Sequence, residues 1–427
     1  MKTSVYTLSF VLLTAFTSCK KDVERGQVIE LTNTSEVDLV DKPISVDKKL
    51  LRPKDGLALY PLVLFNKDTL PSQLNDTDND GQWDELFFVT NFNPKESKEV
   101  RLLWTDQKPL YKMRTSVRFG KRTSADTPVE PATSETMMAN ELPKSLGYQQ
   151  YQTDGPSWEN DKVGFRHYLD GRNAKDLFGK KTSGISPEDV GLDANGAVVD
   201  NYHVMEDWGR DILAVGNSVG LGGYALMTEN EFMRLGVTVE DSINNVEKTS
   251  FQIVAEGPVK SVLSYTYDHW MPNDRTYSVH ETTTIWPGMY GFKNKVAVSG
   301  LKGDEYLAVG LVNINTDKEL GIFDDNSKYV ILYTHDRQTY DKEWWLGMAL
   351  IVPKDKFIGH TEAPKIGNLS NSYLAKLKIS NNQPTSYYAI AGWELSNERF
   401  ADETYFTDYL KKLARQLSAE INIEIKN

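Results

Sequence analysis

The chain has 427 residues, 40% of them hydrophobic, enough apolar material for one large core and, at this length, for two domains. Its formal net charge of -12 argues against general affinity for nucleic acid, which needs clustered Lys and Arg against phosphate. An anionic small ligand would therefore need a local basic pocket inside an acidic shell, and the 9 Trp, 21 Tyr and 16 Phe favour β-structure and contact with sugars.

Residues 1–18 read as a signal peptide, with Lys2 as the positive start and an apolar run from Val5 to Phe16 that is too short to span a membrane. Cys19, the only cysteine, follows Thr17 and Ser18, small residues that precede an acylated cysteine in a bacterial lipoprotein signal. Phe16 departs from the Leu usual at that site. With one cysteine no intramolecular disulfide is available. Residues 19–26 form a charged tether, and the expected location is the outer membrane or cell surface, held by the lipid on Cys19.

From 27 to 106, short alternating apolar runs separated by Asn, Asp, Gly and Pro predict a small β-sandwich. Its loop carries Asp76, Asp78, Asp80, Gly81 and Asp84. Alternate carboxylates followed by a glycine form the front half of a calcium loop, but the twelfth position is Phe87 rather than Glu. The expectation is a structural calcium site on Asp76, Asp78, Asp80 and Asp84, with no catalytic cofactor; an exposed turn would also tolerate the acidic cluster without metal.

Residues 107–146, rich in Lys, Thr, Pro and Ser, read as a linker with one short helix. From 147 to 427 the strands resume at greater length without βαβ alternation, a phosphate-binding glycine loop or a nucleophile elbow, which predicts one large β-sandwich. The chain is thus expected to be all-β. One helix is expected over 402–421, where Phe406, Leu410, Leu413 and Leu417 recur at helical spacing and Asp402 can cap.

The chemistry centres on 155–173. Read as a strand, 162–168 places Val163, Phe165 and His167 on a core face and Lys162, Gly164, Arg166 and Tyr168 on the other. That second face, flanked by Trp158 and Arg172, suits an anionic sugar: an indole for the ring, cations for a carboxylate or sulfate. An ordinary solvated strand face would carry similar residues. A second cluster, 201–211, holds His203, Trp208 and Arg210 in a loop, and a third, 277–288, turns His280 toward a concave sheet face. The irregular glycines at 216–223 suggest close approach of backbone to a ligand or a neighbouring strand. His203 and His280 with a carboxylate could in principle hold a metal, but no closely spaced His pair supports that.

Elimination from a uronic acid needs a cation for the carboxylate, a base for the acidic proton and an acid for the departing oxygen. Arg166, His203 and Tyr168 can fill these roles, with His280 as a substitute base. Trp158, Lys162, Arg172, Trp208 and Arg210 are the candidate substrate contacts. Two alternatives remain open: a glycoside hydrolase built on paired carboxylates, for which no spacing singles out a pair, and a glycan-binding protein without catalysis.

The segments 154–163 and 172–181, Tyr202 and His203 with residues 207–211, and the acidic loop resemble a family of Bacteroidota polysaccharide-utilisation lipoproteins of unknown function. The short charged tether is similar to those of Bacteroidota lipoproteins as well. The resemblance implies a mutarotase-like supersandwich, acidic glycans such as ulvan or pectin as substrates, and work alongside other polysaccharide-degrading enzymes. It also implies an activity like that of a relative, an oligosaccharide dehydratase of ulvan degradation that leaves a 4,5-unsaturated terminal sugar. The membrane would be met through the lipid anchor only.

Overall fold

A computed structural model describes residues 26–52, 59–143, 148–325 and 327–426. The expected signal peptide, Cys19 and most of the tether lie outside them. Among the described residues the fold is all-β apart from single turns and one α-helix, Glu403–Ser418. Among the described residues no helix is long and apolar enough to cross a membrane.

Two sheets form a small N-terminal sandwich. One orders its strands Ile421–Lys426, Gln27–Asn33, Ser97–Thr105, Tyr60–Phe65 and Asp68–Leu70; the other comprises Leu39–Asp47, Glu85–Phe92 and Ser72–Asn75. Alternation puts Ile29, Leu31, Ile44, Val46, Leu86, Phe88, Val100 and Leu102 into its core. The last strand of the chain is therefore part of this sandwich, pairing Val28 with Lys426 along one edge, and the large unit does not run to the terminus.

The large unit has two layers. The first is a nine-stranded antiparallel sheet running from Ser134–Met138 at one edge to Gly321–Phe323 at the other. The second layer consists of two five-stranded sheets. One is ordered Gly209–Asp211, Lys175–Lys180, Gly164–His167, Ser157–Asn160 and Thr115–Arg118; the other runs from Phe232–Arg234 to Phe357–Glu362. The glycine run joins them: Gly220 has φ +75°, and a Cβ there would lie 1.8 Å from the Lys175 carbonyl oxygen. Its close neighbour is thus a strand, and only glycine permits the approach.

Residues 107–146 do not behave as a linker. They contribute Thr115–Arg118 and Ser134–Met138 to the two layers, plus a small ribbon of Gly120–Lys121 with Glu130–Pro131. No α-helix forms in their described part. The apolar strand positions Val117 and Met137, both buried, are what draw the segment into the core.

Period-2 alternation gives the nine-stranded sheet two buried faces. Tyr387, Ala389 and Ala391 turn inward to the main core, while Tyr388 and Ile390 turn outward. Part of that outer face packs on Phe406, Leu410 and Leu413 of the helix. Asp402 caps the helix, accepting from the Thr404 and Tyr405 amides.

Candidate active site around a buried arginine

The strand Gly164–His167 is buried on both faces. Its alternation nevertheless decides which chemistry each face holds. Register pairs His167 with Lys175 and Arg166 with Asp176, so an inward and an outward polar pair sit side by side. Inward, Lys175 Nζ meets Glu281 Oε1 at 2.6 Å and His167 Nδ1 at 3.3 Å, and Tyr267 closes on His167 Nε2 at 3.2 Å. Tyr224 donates to the same Glu281. His167 is thus a satisfied core histidine, held neutral by burial and then by the Lys175 charge.

Outward, Arg166 is the hub. Its Nη2 donates to Asp211 at 2.7 Å and to the Tyr168 hydroxyl at 2.6 Å, and also pairs with Asp176. Nη1 reaches the Thr153 carbonyl at 3.3 Å. Tyr168 in turn donates to Asp176 Oδ2 at 2.6 Å. The guanidinium also lies over the rings of Tyr168, Phe178 and Tyr202 at 4.3–5.2 Å. Burial, then the neighbouring Asp176, push the Asp211 carboxyl well above the ordinary carboxylate range. Burial likewise raises Tyr168 and Asp154.

His203 stands at the rim of this buried network. It sits on the single turn Asn201–His203, with Nδ1 3.6 Å from Asp211 Oδ2 and its side chain 42% exposed. Partial burial, then the Arg166 charge, hold its pKa below the ordinary 6.5. The ring packs between Tyr202 at 4.7 Å and Tyr340 at 5.8 Å. Arg210 approaches from beside it, 6.0 Å over Tyr340 and 3.5 Å from Glu343.

The backbone around this network is strained. Thr153 and Asp154 are both in the left-handed region, as are Asp341 and Lys342 next to Tyr340. A β-branched residue there is a true outlier, and such strain gathers where function requires a fixed geometry. A cleft of about 350 Å³ lined by Tyr148, Gln149, Tyr151, Asp154 and Asp170 opens beside it.

The expected trio Arg166, Tyr168 and His203 is therefore brought together, but two of its roles need correction. Arg166 is 1% exposed and surrounded by protein acceptors, so it cannot hold a substrate carboxylate. The Tyr168 proton is committed to Asp176. His280 is not part of the site at all. Its neighbour Glu281 points inward to Lys175, so alternation sends His280 to the opposite face of the nine-stranded sheet.

Among the expected substrate contacts, Trp158 is a core residue, 1% exposed and stacked on Phe165 at 5.8 Å. Trp208 is packed edge-on against Phe178. Their indoles are unavailable to a ligand because both sheet faces are covered. Lys162 lies over Tyr290, away from the network. Arg172 stacks 3.6 Å over Tyr168 and pairs with Asp170, which makes it a prop for the network, while Arg210 remains at the rim.

Sequence reading missed Asp176, Asp211, Asp154 and Tyr340. The signal for Asp176 was available, since it lies directly across from Arg166 in an antiparallel pair, where opposite charges meet. Tyr340 comes from a distant turn, and nothing local to 162–211 announces it.

In the acidic loop, one carboxylate oxygen each from Asp76, Asp78 and Asp84 lie within 4.8 Å of one another, a set that could take calcium. Asp80 is not in that set; its carboxylate accepts from the Gln82 amide instead. The Asp76 carboxylate accepts from the Asn79 and Gly81 amides, which shapes the turn without metal.

The family model DUF4861, described as a domain of unknown function, matches residues 31–423. The chain belongs to the DUF4861 family. This DUF4861 protein is 23% identical over 435 residues to "Uncharacterized protein P7" of Formosa agariphila, covering 97% of both chains. Among solved structures it is similar to a protein in the glycosyl hydrolase family 38 from Enterococcus faecalis, with a TM-score of 0.49, 10% identity and 95% of this chain covered. An alpha-mannosidase from Enterococcus faecalis V583 matches with the same score and identity. The DUF4861 chain spans about half the length of these two structures, 48% and 46%.

Proposed function

We propose that this protein is a carbohydrate-active enzyme that eliminates water, or a sugar, from C4 of a uronic acid in an acidic oligosaccharide. The observation that carries the reading is His203. It is a half-exposed imidazole whose pKa is held down, with Nδ1 facing the buried Asp211 carboxyl that Arg166 clamps. The flanking Tyr202 and Tyr340 rings hold it in place to act as a general base. His203 takes the C5 proton, the electron pair forms the C4–C5 double bond, and the C4 oxygen leaves with a proton from Tyr340. The phenolate then recovers a proton from the imidazolium through solvent. Arg210, at the rim, is assigned to the substrate carboxylate, in place of Arg166.

A hydrolase reading is less favoured. Asp176 and Asp211 bind one guanidinium nitrogen and are both 0% exposed, whereas a hydrolytic pair must flank the scissile bond. The proposal includes lipid anchoring through Cys19, residence at the outer membrane or cell surface, a polysaccharide-utilisation setting in which other degrading enzymes supply and consume the oligosaccharides, and structural calcium on Asp76, Asp78 and Asp84.

The test incubates purified protein with saturated glucuronic- and galacturonic-acid oligosaccharides and follows ultraviolet absorbance and product mass. A conjugated chromophore appearing with loss of one water, or with a cleaved unsaturated end, supports elimination. Binding without either change would move the assignment to a non-catalytic glycan-binding protein.

A further inference from the structure

A second, larger cavity of about 600 Å³ lies between the small sandwich and the outer face of the nine-stranded sheet, far from His203 in the order of strands and on the other side of that sheet. Its volume is in the range of small-ligand pockets, roughly 300–1,000 Å³. Register lines its floor with two polar rungs. Gln252, Ser264, Thr282 and Lys295 are cross-strand neighbours in one, and Val262, Thr284, Lys293 and Tyr388 in the next. Thr266 and His280 begin a third. All of one parity, these side chains face the same way.

The charges in this cavity do not balance. Lys260 is answered by Glu85 at 2.6 Å, and Lys42 by the Gln416 and Ala419 carbonyls at the end of the helix. Lys293 and Lys295 have no acidic partner within ion-pair distance among the described residues. Lys293 is half-buried, and burial, then Lys295, hold its pKa down. In a chain of net charge -12, two neighbouring lysines without an ion-pair partner, with only Asp78 and the paired Glu85 as acids in the lining, leave this concave floor locally positive. Hydroxyls from Ser264, Thr282 and Thr284, with the Gln252 amide, supply the donors and acceptors that sugar hydroxyls match. Gln252 exchanges hydrogen bonds at 3.3 Å with Asn79 of the acidic loop, which forms the opposite wall.

We propose that this interdomain cavity is a second binding site, for an anionic saccharide, whose carboxylate or sulfate seats between Lys293 and Lys295 while its hydroxyls bond the threonine and glutamine rungs. The site holds sugar without transforming it, and it does not depend on the role assigned to His203.

Calorimetry with a glucuronic-acid tetrasaccharide tests this, using wild type, Lys295→Gln, the double variant Lys293→Gln/Lys295→Gln, and His203→Ala. The expected result is two classes of binding in wild type, one of which is weakened about tenfold or more by the double variant, weakened less by the exposed single variant, and still present in His203→Ala. Elimination activity failing in His203→Ala while this binding persists separates the two sites. Undiminished binding in a double variant with unchanged melting temperature overturns the proposal, as does binding lost only in His203→Ala. A carboxyl-reduced tetrasaccharide should bind weakly; equal binding would overturn the ionic part. Inorganic sulfate binding as tightly as the tetrasaccharide would make this a free-anion site and overturn the saccharide assignment.

Discussion

His203 and Arg166 divide the labour of the candidate site, one exposed and one enclosed. Replacing His203 by Ala should lower kcat/KM for elimination by about 10²–10⁴-fold, the range for loss of a positioned base, with little change in melting temperature. The sign of the pH dependence follows from its environment. Its pKa is lowered from 6.5, so the neutral base persists to lower pH than for a free imidazole. Activity should fall on the acid side with an inflection below 6.5; a rate that rises on acidification would remove His203 as the base. Arg166 makes a different prediction. Arg166→Met leaves Asp176 and Asp211 buried without their shared cation and should cost about 3–5 kcal/mol in denaturant unfolding. Its residue type and parity were readable in sequence. Its enclosure was not, because the covering groups Thr153 and Tyr202 come from turns outside the strand, and strand alternation says nothing about what lies above a face.

Strands with clear alternation were legible. The stretches that begin at Glu85, Glu99, Phe292 and Leu346 fall within observed strands, the one expected over 276–286 is the strand Tyr277–Ile285, and the helix expected over 402–421 is Glu403–Ser418, with Ile421 opening the last strand instead. The segment 107–146 was misread because its two-to-five-residue strands are short, polar at every other position and interrupted by Pro; only tertiary pairing, Thr136 with Ser250 for example, defines them. Between elements, Lys260 at the start of one strand pairs with Glu85 of the small sandwich, which itself takes bonds from Ser45 and Asn75. Burial pushes the Glu85 carboxyl up, but Lys260 and these hydrogen bonds outweigh it, leaving the pKa below 4.5. A depressed carboxylate contributes stability above its unfolded value that is lost as pH falls through the folded one. Wild type should therefore lose stability below about pH 4.5 relative to Glu85→Gln. At neutral pH, Glu85→Gln should cost about 1.5–3 kcal/mol, the range for charged hydrogen bonds; matching pH curves for the two proteins would show that the pair does not tie the units together.

At the scale of the molecule, the His203 network lies apart from the cavity at Lys293 and Lys295, and the small sandwich walls the latter. Deleting Ile421–Lys426 would bare one edge of Gln27–Asn33 and remove the apolar contacts of Ile421, Ile423 and Ile425. The expected outcome is earlier unfolding and faster proteolysis of the small sandwich, with saccharide binding at Lys293 and Lys295 reduced and chemistry at His203 retained. Equal protease resistance of the truncated and full chains would count against it.

That terminal pairing also sets an order on biosynthesis. Thr34 bonds Glu420 across 386 residues, so the first sandwich to leave the ribosome is the last to be completed. Until the final strand has been made, an apolar-backed edge waits unpaired, a natural template for another chain. A chain that lacks Ile421–Lys426 keeps that edge open to pairing with a neighbour.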